Sequence, residues 1–128
     1  MRRYMRPLLI VVLFSASAIV ASAQMSVKDY RDIVATNDSD ALRLVTSYIK
    51  GIGDGFVFYG VRAEDSMNQK PLFCQPDKLP LRTENFVDII SNEIKRAATR
   101  MPKEKLDKIP LATILLSGLQ ETFPCKTK

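Results

Sequence analysis

The sequence predicts an all-α fold, a small single-domain helical bundle with one disulfide. Three observations carry this reading. Apolar residues recur at three- and four-residue spacing in four stretches, the period of a helix buried along one face. Prolines and capping residues fall at the ends of those stretches. Two cysteines lie downstream of an export-type leader, and no convincing run of alternating residues accompanies them. The segment from Phe56 to Val61 is the one candidate strand, and alone it is too short to build a sheet.

The leader comes first. Arg2, Arg3 and Arg6 give a positive start, Leu8 to Val20 is apolar apart from Ser15 and Ser17, and Ala21-Ser22-Ala23 supplies small residues at a cleavage site. That order predicts a secretory signal over residues 1–23 and a mature domain over residues 24–128. The alternative, a membrane anchor, needs roughly 17–25 apolar residues, and this stretch sits near the lower limit. No cysteine follows it to carry a lipid, and the twin arginines lack the rest of a twin-arginine motif. The expected compartment is the periplasm, with no membrane attachment after cleavage.

Four helical stretches follow. Val27, Tyr30, Ile33 and Val34 mark a short opening helix over Val27 to Ala35. Asn37, Asp38 and Ser39 offer N-caps for a second, running from about Asp40 to Gly55 or slightly beyond. Leu42, Val45, Ile49, Ile52 and Phe56 form its stripe, and Ala41, Leu44 and Tyr48 widen it enough to imply packing on two sides. Thr83 is the expected N-cap of a third, with Glu84 well placed at its positive end. Phe86, Ile90, Ile94, Ala97 and Met101 line it, and Pro102 stops it. Pro110 fits the first turn of the last, whose face is Leu111, Leu115, Leu119 and Phe123, and Pro124 ends it.

Two segments do not read as regular helix. Gly60 to Leu81 holds Pro71, Pro76, Pro80 and Cys74, and reads as a long irregular connection, the kind that tends to carry function. Its polar stretch supplies the candidate partner-binding residues Arg62, Glu64, Asp65, Asn68, Gln69 and Lys70. Pro102 to Ile109 is a shorter corner with room for one helical turn. The run Gly51-Ile52-Gly53-Asp54-Gly55 invites a nucleotide-loop reading, but that fingerprint needs a strand before it, and an amphipathic helix precedes it here. Gly51 and Gly55 lie one turn apart and are expected to let another helix come close, with the third glycine loosening the helix end.

Charge and cysteine count bound the function. The chain holds 19 Lys and Arg against 14 Asp and Glu; three arginines leave with residues 1–23, so 16 basic side chains remain and the net charge falls from +5 to +2. Lys103, Lys105 and Lys108 are interleaved with Glu104 and Asp107, the pattern of a solvated face, so no nucleic-acid partner is expected. In an oxidising compartment Cys74 and Cys125 have one pairing, whose 51-residue loop is worth about 4 kcal/mol by loop entropy. The alternative is two free thiols, but a cysteine nucleophile wants a base and the chain has no histidine. That absence also removes histidine triads and the usual zinc sites, so neither an enzyme nor a metal or other cofactor is expected. Asp54, Glu64 and Asp65 surround a glycine-rich bend with no apolar pocket sequence to raise a pKa.

The residues also carry a resemblance. Tyr48-Ile49-Lys50-Gly51-Ile52-Gly53-Asp54-Gly55, then Phe73-Cys74-Gln75-Pro76, an amphipathic helix and a closing Phe123-Pro124-Cys125 resemble the Rap/Tai family of periplasmic immunity proteins, antidotes to type VI secretion peptidoglycan amidases. The similarity spans about Ala41 to Cys125 and departs at Met101-Pro102, where members commonly carry His-Pro. It implies an all-helical domain, a Cys74–Cys125 disulfide, often a homodimer, and inhibition of an amidase by covering its cleft. The leading expectation is therefore a periplasmic protein-binding inhibitor. The alternative is a periplasmic stress or acid chaperone, which exposes apolar surface when its carboxylates are protonated.

Overall fold

A computed structural model describes residues 24–76 and 79–126; the leader at 1–23 lies outside the described residues. Five helices follow in order: α1 (Val27–Thr36), α2 (Ser39–Asp65), α3 (Thr83–Ala98), α4 (Lys103–Leu106) and α5 (Leu111–Thr122). Among the described residues there is no named strand, so the fold is all-α. None of these helices is long and apolar enough to cross a membrane.

Helix α1 starts because Ser26 caps it. The Asp29 backbone N–H donates to the Ser26 hydroxyl at 3.1 Å, and the Ser26 N–H donates back to the Asp29 carboxylate at 2.9 Å, a reciprocal capping box. Asn37 ends the helix in the left-handed conformation, φ 53°, which asparagine tolerates well. The donors at its start reach across the molecule: Val27 N–H to Ile109 O at 2.9 Å and Lys28 N–H to Asp107 O at 3.1 Å. In return the Met25 carbonyl accepts from Leu111 N–H at 2.8 Å, satisfying a donor at the start of α5, where Pro110 has no side chain to offer. The start of the described chain is thus locked to the α4–α5 corner, and Val27 is fully buried there.

Helix α2 runs ten residues past the expected end near Gly55, through Phe56–Val61, and stops at Asp65. Asp38 caps it, accepting from Asp40 and Ala41 N–H groups. Its continuation corrects the irregular reading of Gly60 onward and removes the candidate strand. Val45, Ile49, Gly53 and Ala63 are buried along it, whereas Leu44 is 72% exposed and does not widen the buried face.

Helices α3 and α5 form the most extensive pair of the bundle. The N-cap of α3 is Arg82, one residue before the expected Thr83, and the Asn85 side chain accepts from the Arg82 N–H at 2.8 Å. Phe86, Ile90, Leu106, Leu111, Leu115 and Leu119 are fully buried where α3, α4 and α5 meet, together with Ile49 from α2. Gly118 permits the close approach: a Cβ there would stand 2.5 Å from the Ile89 Cγ2 methyl and 3.3 Å from the Ile89 carbonyl oxygen. Beside this seam Glu93 is buried, held by Arg96 Nε at 2.8 Å and by the Ser117 hydroxyl at 2.9 Å, while Arg96 also pairs with Glu121 at 2.7 Å. The carboxylate is therefore satisfied on both oxygens, which is the condition for burying it without penalty.

Candidate functional site

The disulfide organises one end of the molecule. Cys74 and Cys125 are bonded, with Cα atoms 4.8 Å apart. Three further contacts dock the segment before the bridge onto the end of α5. Cys74 N–H donates to Phe123 O at 2.8 Å, Gln120 Nε2 donates to Leu72 O at 3.1 Å, and the Phe73 ring lies 6.5 Å from that of Phe123. Phe73 itself is buried and belongs to the core. The connection is thus an ordered strap, anchored by a covalent bond and by a core side chain.

Between this strap and the last turns of α2 lies a groove of about 510 Å³. Val57, Gly60, Val61 and Glu64 form its α2 wall, which is one helix face at three- and four-residue spacing. Pro71, Phe73, Cys74, Gln75 and Pro76 form the opposite wall. Gly60 allows the strap to lie close, since a Cβ there would just touch the Pro71 ring at 4.0 Å. The walls are mainly apolar, with Glu64 and Gln75 as the polar points. Val61 is 53% exposed, and exposed Met67 and Leu79 lie close along the chain.

The six candidate partner-binding residues do not form one loop. Arg62, Glu64 and Asp65 belong to the last turn of α2, and Asn68, Gln69 and Lys70 to the connection; all six are exposed. Of these only Glu64 lines the groove. Arg62, two residues earlier, is about 200° round the helix and faces elsewhere. Asn68 is a turn residue: it adopts φ 48°, and the Gln69 N–H then returns to Ala63 O at 2.9 Å. Gln69 accepts from the Tyr59 hydroxyl at 3.3 Å.

The expected helix-packing glycines also need correction. No atom comes within 4 Å of a Cβ built on Gly51 or Gly55, so within this chain neither brings a helix close. Gly53 does: a Cβ there would lie 2.7 Å from Cζ of Phe86 and nearer still to the ring edge. The groove-wall residues Val57, Val61, Pro71 and Phe73 were missed at the sequence level. Their signal, the 57-60-61-64 spacing, becomes visible only once α2 is continued past Gly55.

A second hollow of about 200 Å³ lies over the α3–α5 seam, beside Glu93, Arg96 and Glu121. Its charged groups are already committed to one another. Among the described residues no cluster of three or more His, Cys, Asp or Glu side chains could hold a metal ion. No family model, curated protein or solved structure matches the chain.

Proposed function

We propose that this chain is a periplasmic inhibitor that works by protein binding, in the manner of the immunity proteins it resembles, and that its target is a peptidoglycan amidase. The observation that carries this reading is the groove between α2 and the disulfide-anchored strap. A surface held in place by a covalent bridge and a buried phenylalanine has little freedom to lose on binding, which favours affinity. Its chemistry suits a partner segment with an apolar side chain for the Val57, Val61 and Pro71 walls and a donor or cation for Glu64.

The test is inhibition of a peptidoglycan amidase encoded beside this chain, measured as release of cleaved muropeptides. The wild-type protein is expected to block it. Val61→Asp combined with Glu64→Ala changes exposed positions and should shift folding stability by no more than about 0.5 kcal/mol. Binding should weaken at least about tenfold, equivalent to 1.4 kcal/mol. Asn68 is left intact because its left-handed backbone would confound the result. Full inhibition by the double variant would exclude the groove, and no inhibition by the wild type would exclude the amidase reading.

A further inference from the structure

The two most exposed large apolar side chains of α2 are Leu44, 72% exposed, and Phe58, 67% exposed. They share a helix face, fourteen residues apart, and Gly51 lies midway, seven residues from each. Ser47 and Gly55 stand four residues to either side of Gly51, so the face reads large, small, small, small, large from both ends. All five residues are exposed, and Cβ atoms built on Gly51 and Gly55 meet nothing. Exposed glycines in a helix interior weaken it relative to alanine. Nothing inside this chain requires these two.

We propose that this outer face of α2 binds the same face of a second copy, antiparallel, about a two-fold axis passing at Gly51. That axis sets Leu44 on the partner's Phe58 and Ser47 on the partner's Gly55, so bulky ends cover a close central crossing. The charges agree with it. Asp40 and Arg62 lie eleven residues before and after Gly51, close to the same face, and both are exposed. The two-fold brings each Asp40 opposite the partner's Arg62. A parallel pairing would instead set Asp40 against Asp40 and Arg62 against Arg62, which is repulsive. In the single chain Asp40 pairs only with Arg43, at 3.1 Å and largely in solvent, an interaction that a second cation can share. The face is about 100° round α2 from the groove wall, so the two surfaces are separable.

Sedimentation equilibrium of the mature protein with its disulfide intact, from about 10 μM to 1 mM, tests the proposal, because one helix pair is a small interface and calls for a weak dimer. A reversible monomer–dimer equilibrium is expected. Asp40→Arg and Arg62→Asp should each weaken the dimer at least tenfold, and the two together in one chain should restore it. Gly51→Leu should abolish the dimer while the melting temperature of the monomer holds or rises, since nothing occupies the space beside Gly51. A protein that stays monomeric at 1 mM overturns the proposal. So does a dimer indifferent to Gly51→Leu, or one in which the paired charge changes fail to restore what either alone removes. Amidase inhibition by Val61 and Glu64 variants reads the groove separately, so failure of one reading leaves the other standing.

Discussion

The ring of Phe86 occupies the space that a side chain on Gly53 would need. A Cβ at Gly53 would lie 2.7 Å from Cζ of Phe86, which is itself fully buried at the α2–α3 contact. Gly53→Ala should therefore destabilise the fold by about 1–3 kcal/mol, the usual range for overpacking. Gly51→Ala and Gly55→Ala, next to it but open to solvent, should each stabilise α2 by up to about 1 kcal/mol. Urea unfolding of the three variants checks this. Equal effects at all three positions would contradict the packing described.

The Cys74–Cys125 bridge closes a 51-residue loop and holds the strap against α5. Replacing both cysteines with serine should lower stability by about 2–5 kcal/mol. The Gln120 and Phe73 contacts remain in that variant, so the helices should persist while the groove loosens. Circular dichroism melts with and without a reductant measure the loss. Titration of the native protein should find no reactive thiol.

Asp29 sits in the capping box of α1, and the Ser26 hydroxyl, then the Ser26 N–H, hold its carboxyl below the usual carboxylate range. A depressed folded-state pKa stabilises the protein above the unfolded value, near 3.9, and that contribution fades as the pH falls through the lower folded value. Helix α1 should therefore loosen at its start in acid, not in base. Carboxyl NMR titration should show Asp29 below the other exposed aspartates, and Ser26→Ala should move it upward. An unchanged Asp29 in that variant would remove the capping box as the cause.

Ser117 supplies the donor for one oxygen of buried Glu93. Ser117→Ala should cost about 1–3 kcal/mol, because a buried charged acceptor loses its partner. Thr113→Ala, one turn earlier on α5 and exposed, should shift stability by no more than about 0.5 kcal/mol. The two are compared by chemical denaturation under identical conditions.

Much of this architecture was legible in the residues. The all-α class, the start of α1 at Val27, the stripe of α5 and the Cys74–Cys125 pairing all follow from local spacing, caps and cysteine count. Spacing and caps are local signals, and they act within one or two turns of chain. The far half of α2 was not legible for the same reason. Gly51, Gly53, Gly55 and Gly60 argue locally against a helix, each by about 1 kcal/mol relative to alanine. What holds the helix through them lies elsewhere in sequence: Phe86 against Gly53, the strap at Pro71 beside Gly60, and the pocket that buries Ala63.

The sequence by itself determined which segments could become helices, where most of them start and stop, and which two cysteines would meet, because those depend on neighbours along the chain and on composition. Only the tertiary structure decided which glycine is obligatory, that Glu64 rather than Arg62 faces the groove, and that the groove exists at all. Each of these depends on what a distant element places within a few ångströms, and burial against such a neighbour outweighs the local preference of the residue that meets it.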